Sequence, residues 1–191
     1  KAKCALNNGV NIVVELPYIY STQSSDTFSK YALKILNEFE IDELCFGSED
    51  NNLDNLYKVA DTQINNNNFD IKVKEHLDNG INYPTALNNA LKDLIGIEIT
   101  KPNDLLGVSY IKEILKNNYQ ITPFIIKRTN DYHDKENDSD IVSASNIRER
   151  LINKSNFSSK VPNDVYEILK ITMSYSIIKF MRIIKISIIF K

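Results

Sequence analysis

The sequence is poor in the residues that most often indicate metal or redox chemistry, with two cysteines and two histidines in 191 residues. It also contains no tryptophan. Cys4 and Cys45 lie in a helical and a strand pattern and form no Cys-x-x-Cys spacing, which excludes a paired metal or redox site. We expect both to be core thiols in a reducing compartment. Abundant Asn, Lys and Ile indicate compositional drift, so the Asn65–Asn68 run predicts no function.

The sequence also has no strong charge bias and no common phosphate-binding loop. Lys and Arg number 23 against 25 Asp and Glu, a net charge of -2, so no global basic field indicates a nucleic-acid binder. An RNA partner needs only a local patch. No Gly-x-Gly-x-x-Gly follows a strand and no Walker loop occurs, which disfavours hydride transfer and P-loop chemistry. The first residues lack the continuous apolar segment of a signal peptide, so we expect a cytoplasmic protein. Lys179, Arg182 and Lys185 interrupt the apolar run at the end of the sequence, so we expect no membrane span.

Hydropathy patterns predict an α/β domain. Val10–Leu16 is nearly all apolar, which predicts a strand buried on both faces of a parallel sheet. The apolar residues from Phe28 to Phe39 recur at helical spacing after a cap at Ser24–Asp26, and Glu43–Gly47 then predicts a second strand. The order strand, helix, strand indicates a Rossmann-like parallel sheet with helices on both faces.

Three polar signatures follow at the ends of apolar elements, where open α/β sheets bind ligands. They are 101–107, 125–128 and 143–148. Because 121–126 is a short β-branched run, Lys127 and Arg128 are predicted to leave a buried strand at its carboxyl end, which suits an anion. The alternative is that both are ordinary solvated basic residues.

The other candidate positions also have a functional and a structural interpretation. Ser143–Asn146 predicts a polar helix cap, with Asn146 and Glu149 spaced as a capping pair and Arg148 in the first turn. Alternatively the serines only cap the helix. Asn103 is predicted as the N-cap of its own helix. Gly47 would admit a planar ring or a phosphate to the backbone, or it only makes a turn.

From the residues alone, we predict a nucleotide-sized site made of Gly47, Asn103, Lys127, Arg128 and the turn 143–148. Nucleotidyl transfer fits this set, because positioning a triphosphate and stabilising the leaving pyrophosphate need cations and helix N-termini but no nucleophile.

In this order, the residues resemble the bacterial tRNA(Met) cytidine acetate ligases of the nucleotidyltransferase-like superfamily. The resemblance runs from the first residue to about Leu169. It is carried by Ile12-Val13-Val14-Glu15-Leu16-Pro17, Leu44-Cys45-Phe46-Gly47-Ser48-Glu49, Pro102-Asn103 through Leu106-Gly107, Ile126-Lys127-Arg128 with Tyr132-His133-Asp134, and Ser143-Ala144-Ser145-Asn146-Ile147-Arg148.

The resemblance implies both a reaction and a site. ATP and acetate would give acetyl-adenylate, which would acetylate the wobble cytidine N4 of elongator tRNA(Met); Mg²⁺ is expected with ATP. Gly47, Asn103 and Arg128 match ATP-binding positions, and Lys127 is their basic neighbour. By superfamily analogy, a phosphate-binding turn is expected at Ser143, Ser145 and Arg148. The charged loop Thr129–Asp140, with its lone His133, is assigned no catalytic role.

The resemblance further predicts how the chain is divided. We expect a partial nucleotide-binding domain at 1–154, the start of a helical region at 155–170 and an aberrant or truncated tail at 171–191. The superfamily's first strand and its His-x-Gly-His-like motif are not found, so we expect a fragment with little ligase activity of its own. The alternatives are another enzyme of this fold that acts on a small molecule, and a non-catalytic nucleotide- or RNA-binding remnant.

Overall fold

The computed structural model describes residues 2–128, 142–173 and 187–190. It confirms the α/β class, with one pair of parallel strands and helices packed beside it. The chain forms two compact units, residues 22–128 and residues 1–21 with 129–191. The charged loop expected at 129–140, including Tyr132, His133 and Asp134, lies outside the described residues.

The unit 22–128 contains five helices and two strands among the elements described. The helices are α3 (Ser25–Glu38), α4 (Leu53–Asn65), α5 (Phe69–Asp78), α6 (Tyr83–Ile95) and α7 (Pro102–Asn117), and the strands are β2 (Glu43–Ser48) and β3 (Thr122–Lys127). The other unit contains α1 (Ala2–Asn7), β1 (Ile12–Glu15), α2 (Tyr18–Ser21), α8 (Ala144–Ile152), a 3₁₀ turn (Ser158–Lys160), α9 (Asn163–Met173) and β4 (Ser187–Phe190).

Helix boundaries in the unit 22–128 follow local capping signals. Ser24 caps α3, as predicted, by accepting a hydrogen bond from the Thr27 N–H. Asn82 caps α6 in the same way, and α6 ends at Gly96, whose φ of 68° places it in the left-handed region that glycine tolerates. These caps satisfy backbone groups that the helices leave without internal partners.

The core of this unit lies among α4, α5, α6 and α7. Its buried side chains are Leu56, Val59, Ala60, Phe69, Val73, Ala86, Ala90, Leu91, Ile99, Val108 and Ile111. Burial of apolar surface at about 25 cal/mol per Å² makes such a cluster the main source of stability. α7 joins this core to the sheet, because it contacts α3, α4 and β2.

β2 and β3 run parallel, in a register that pairs Glu43 with Thr122 and Ser48 with Lys127. One face of the pair carries Cys45, Phe124 and Ile126, which are exposed. The expectations that β3 is buried and that Cys45 is a core thiol are therefore wrong. Apolar composition predicted the strand correctly, but it could not predict which face lies against the helices.

The opposite face of β2 packs closely on α7 at a glycine. A Cβ added to Gly107 would lie 2.6 Å from Cε2 of Phe46 and 3.2 Å from Cδ1 of Leu56. The Phe46 ring also contacts Tyr110, with 5.4 Å between the ring centroids. Burial raises the pKa of Tyr110 to about 12, as expected for a phenol surrounded by aromatic rings. Gly107 thus sets the distance between α7 and β2, the strand that contains Gly47.

Replacing Gly107 by alanine is expected to destabilise the protein by about 1–3 kcal/mol, because the added methyl group overpacks a filled space. Without the clash, alanine in a helix interior would stabilise by about 0.5–1 kcal/mol. Denaturant unfolding measures the difference. The double variant Gly107→Ala, Phe46→Leu removes the clashing ring atoms. Its loss of unfolding free energy should therefore be smaller than the sum of the losses measured for the two single variants. Strict additivity would contradict this account of the contact.

The other unit contains an antiparallel pair, β1 with β4, in which Ile12 lies opposite Phe190. β1 pairs antiparallel and Ile12 is 47% exposed, so the prediction that 10–16 is a strand buried on both faces of a parallel sheet is wrong. The Asn8 side chain donates to Oδ1 of Asp164 at 3.0 Å. This hydrogen bond, with one from Asn7, lowers the pKa of Asp164.

Within the predicted tail, α9 continues to Met173 and 187–190 forms β4. No described helix has the length and hydropathy to cross a membrane.

Candidate nucleotide site

The carboxyl ends of β2 and β3 lie side by side, as the parallel arrangement predicts. Gly47 pairs with Ile126, and Ser48 pairs with Lys127. The backbone N–H of Arg128 donates to the Ser48 carbonyl at 2.8 Å, which extends the ladder by one step. The structure therefore brings together Gly47, Lys127 and Arg128, three of the predicted site residues. Lys127 is the last residue of β3 and is exposed.

The Arg128 side chain lies over Gly47. A Cβ on Gly47 would be 3.3 Å from Cγ, 3.5 Å from Cδ and 3.8 Å from Nη1 of Arg128. Arg128 Nε is buried and has no hydrogen-bond partner among the described residues. Buried donors in proteins are nearly always paired, so the Arg128 guanidinium has hydrogen-bonding capacity that an anion would satisfy.

Replacing Gly47 by alanine is expected to weaken nucleotide binding about three- to tenfold, near 1 kcal/mol, because the methyl group would push the Arg128 side chain aside. Equilibrium dialysis with ATP measures the loss. In an Arg128→Ala background the contacting atoms are gone, so Gly47→Ala should then have no further effect. Equal losses in both backgrounds would show that Gly47 acts independently of Arg128.

The first turn of α7 is held by Glu49, from the loop after β2. Its carboxylate accepts hydrogen bonds from the Asn103 N–H at 3.1 Å, from Asn103 Nδ2 at 2.5 Å and from the Asp104 N–H at 3.2 Å. Asn103 is the second residue of the helix, and the N-cap is Lys101, whose side chain makes no capping bond. The prediction that Asn103 is the N-cap is therefore wrong. The Glu49 carboxylate caps the first turn of α7 instead, and its negative charge also suits the positive end of the helix dipole.

A buried polar network ties the loop after β2 to α7. Ser48 and Asp104 are both fully buried. Ser48 Oγ donates to Asp104 Oδ1 at 2.5 Å and accepts from the Asn51 N–H at 2.9 Å, while the Asp50 N–H donates to Asp104 Oδ2 at 3.1 Å. Buried polar groups that are all satisfied rigidify their surroundings. The network therefore fixes Gly47 relative to the first turn of α7.

Positive and negative side chains occupy different parts of the site. Arg128 and Lys127 supply positive charge at the end of β3, and Glu49 and Asp104 supply carboxylates at the start of α7. No cluster of three or more His, Cys, Asp or Glu suited to a metal ion occurs in the described ranges 2–128, 142–173 and 187–190. The arrangement suits a ligand with an anionic end and a neutral, hydrogen-bonding end.

The turn predicted to bind phosphate belongs to the other unit and is described by itself. Ser143 is the N-cap of α8, and its hydroxyl accepts from the Asn146 N–H at 3.1 Å. The prediction of a capping pair at Asn146 and Glu149 is therefore wrong by one turn. Arg148 is exposed, and its Nη2 donates to Ser145 Oγ at 2.9 Å. The three predicted residues are thus engaged in bonds within the turn, and their phosphate-binding role stays a prediction.

Sequence reasoning did not assign roles to Ser48, Glu49 or Asp104. Ser48 and Glu49 were visible as polar residues after the strand, and Asp104 as an acid in the first turn of a helix. Their hydrogen bonds join residues 54 to 56 positions apart. No local pattern carries information about contacts of this separation.

Comparison with known proteins is consistent with this geometry. The model of the family described as HIGH Nucleotidyl Transferase matches residues 1–191. The tRNA(Met) cytidine acetate ligase of Mycoplasma mobile is 42% identical over 168 residues, which cover 87% of this chain and 56% of that protein. The protein of the same name from Bacillus cereus is 40% identical over 161 residues, covering 81% of this chain and 41% of its own.

Two crystal structures of Thermotoga maritima TmcAL are also similar. The apo form has a TM-score of 0.81 and 28% identity, covering 91% of this chain and 44% of that one. The form bound with alpha-thio ATP has a TM-score of 0.75 and 27% identity, covering 91% and 43%. The chain thus spans about half the length of the relatives it matches.

Proposed function

The chain belongs to the HIGH nucleotidyl transferase family, and from that premise we propose that it binds ATP at the carboxyl ends of β2 and β3. We propose further that the protein uses ATP to activate acetate and then acetylates the wobble cytidine of elongator tRNA(Met). The relatives named tRNA(Met) cytidine acetate ligase support this substrate pair. The structure of the Thermotoga relative bound with alpha-thio ATP supports ATP as the nucleotide.

The proposed chemistry has two steps. An acetate oxygen attacks the α-phosphorus of ATP, the bond to the β-phosphate oxygen breaks, and pyrophosphate leaves. The cytidine N4 amine then attacks the acetyl carbonyl carbon, AMP leaves with the bonding electrons, and the nitrogen loses a proton. Both steps need positioned reactants and charge stabilisation rather than a protein nucleophile.

The observation that carries the proposal is the Arg128 side chain, which lies over Gly47 with a buried Nε that lacks a partner among the described residues. A guanidinium at a strand's carboxyl end is suited to the phosphates of a nucleotide, because it offers several donors in a fixed plane. The missing side chain of Gly47 leaves room for the Arg128 side chain to lie across the end of β2.

Each remaining predicted residue has a place in this proposal. Asn103, held by Glu49, contacts the nucleotide, and exposed Lys127 adds long-range attraction for the phosphates. Ser143, Ser145 and Arg148 form a further phosphate-binding turn. Mg²⁺ enters with ATP as its counter-ion, held chiefly by the phosphates. The reaction takes place in the cytoplasm, where ATP and tRNA occur together.

Incorporation of labelled acetate into tRNA tests the proposal. The 191-residue chain and a version extended to the full length of its relatives are each incubated with ATP, labelled acetate and elongator tRNA(Met). We expect ATP-dependent label in the tRNA with the extended version. The control tRNA carries uridine at the wobble position and should stay unlabelled, because uridine lacks the attacking amine.

Two results would contradict the proposal. Equal labelling of the control tRNA would place the acetyl group elsewhere. ATP turnover that responds to a small amine but not to tRNA would instead identify an enzyme of this fold with a small-molecule acceptor.

A further inference from the structure

The Glu49 carboxylate determines how the Asn103 side chain is oriented. Asn103 Nδ2 donates to Glu49 Oε1 at 2.5 Å, and the Asn103 N–H donates to Oε2 at 3.1 Å. An ionised carboxylate only accepts hydrogen bonds, so it must face the amide nitrogen and never the amide oxygen. The orientation of this carboxamide therefore follows from chemistry, although the two ends of an asparagine amide have nearly the same shape.

This orientation leaves the Asn103 carbonyl oxygen as the polar atom available to a ligand. No residue within the described parts of the chain donates to Asn103 Oδ1. Asn103 is half-buried at the first turn of α7, next to the loop that follows Gly47. A side chain that is fixed at one end and partly removed from water is well suited to bind one group of a ligand selectively.

Charge indicates which part of a nucleotide meets Asn103. Glu49 lies directly against Asn103, and the buried Asp104 follows it. A triphosphate beside these carboxylates would be repelled, whereas Arg128 at the end of β3 attracts it. Electrostatics therefore favours the phosphates near Arg128 and the neutral nucleoside part near Asn103.

We infer that Glu49 is a positioning residue that holds Asn103 as a hydrogen-bond acceptor, so that the site selects nucleotides presenting a donor there. The donor is a ribose hydroxyl or an exocyclic amino group. The inference rests on the proposed function, and it adds a specificity role for Glu49 and a direction for the hydrogen bond made by Asn103.

Binding of four nucleotides distinguishes the possible donors. Dissociation constants are measured by isothermal titration for ATP, 2′-deoxy-ATP, 3′-deoxy-ATP and purine riboside triphosphate, which lacks the amino group. The protein is the 191-residue chain and the extended version in parallel. We expect one analogue to bind about tenfold more weakly than ATP, because it leaves the Asn103 carbonyl without a partner. The analogue that loses affinity identifies the donor.

Variants of Glu49 separate positioning from general structural support. Glu49→Ala removes the fixed acceptor, so the Asn103 amide can turn and the preference for ATP over the weak analogue should fall toward one. Glu49→Gln keeps one oxygen for the N–H groups of Asn103 and Asp104, which places its NH2 group against the Asn103 side chain. The Asn103 amide should then turn, so the preference should fall although the support of the helix terminus is retained. Structural damage alone would weaken all four nucleotides together and leave their ratios unchanged. Glu38→Ala, at an exposed acid ending α3, is the control.

The outcomes separate the inference from the function on which it rests. Equal affinity of the unchanged protein for all four nucleotides overturns the inference and leaves ATP binding intact. If the Glu49→Ala variant prefers ATP over the weak analogue as strongly as the unchanged protein does, the positioning role of Glu49 is overturned. Absence of binding of any nucleotide, by either form, overturns the proposed ATP site as well.

Discussion

Replacing Arg128 by alanine is expected to weaken ATP binding about 10- to 100-fold, because hydrogen bonds to charged groups contribute roughly 1.5–3 kcal/mol. The thermal midpoint should change little. Arg128 Nε has no partner among the described residues, and the hydrogen bond from the Arg128 N–H to the Ser48 carbonyl does not involve the side chain. Isothermal titration and differential scanning calorimetry on the same preparations measure both quantities.

Lys127→Ala is the matched control, since it removes one positive charge from the adjacent residue. Lys127 is exposed, so water and salt screen its attraction and a loss of only about two- to threefold is expected. Arg128→Lys retains the charge and should recover part of the affinity. If Lys127→Ala weakened ATP binding as much as Arg128→Ala, general charge and not the position over Gly47 would explain the effect.

Replacing Asp104 by alanine is expected to destabilise the protein by about 3 kcal/mol or more, because it leaves buried hydrogen-bonding groups unsatisfied. The Ser48 hydroxyl would lose its acceptor, and the Asp50 N–H would lose its partner as well. Ser48 and Asp104 are fully buried, so water cannot readily replace the carboxylate. The midpoint of urea unfolding at constant slope measures the loss.

Asp54→Ala is the control for the helix position. Asp54 also lies in the first turn of its helix, α4, but it is exposed. Its removal should cost only about 0.3–1 kcal/mol, the usual value for an acid near a helix N-terminus. Asp104→Asn keeps the shape and one acceptor, so its loss should be intermediate. Equal small losses for Asp104→Ala and Asp54→Ala would show that the buried network contributes nothing beyond the dipole.

The elements that the sequence predicted well are those with strong local signals. α3 follows its cap at Ser24, and β2 coincides with a short apolar run. The predicted parallel sheet was confirmed for β2 and β3, whereas β1 pairs antiparallel with β4. That prediction followed from the order of elements, because strands separated by helices in this way pair in parallel.

Apart from the pairing of β1, the predictions that were wrong concern burial and capping. Cys45, Phe124 and Ile126 belong to apolar runs but lie on the exposed face of β2 and β3. Strand composition does not say how many layers cover a sheet. Asn103 has the usual chemistry of an N-cap, but Glu49 performs that role from a position 54 residues away. Such long-range contacts arise from packing, and a single sequence does not encode them in any local pattern.

The candidate site was predictable to a similar extent. The sequence order predicted that Gly47, Lys127 and Arg128 would meet at one end of the sheet, because parallel strands share their carboxyl edge. The acidic half of the site, formed by Glu49 and Asp104, was not predicted. Acids in loops and first helical turns are usually solvated, so their types alone gave no reason to place them together.

Glycine-selective nitrogen labelling offers the most direct test of where ATP binds. The sequence contains five glycines, so the amide spectrum is simple, and Gly47→Ala assigns its peak. The account predicts that ATP shifts the Gly47 amide resonance but leaves those of Gly80 and Gly96, at the ends of α5 and α6, in place. Saturable shifts at Gly80 or Gly96 with none at Gly47, or no shift at any glycine, would contradict an ATP site at the carboxyl ends of β2 and β3.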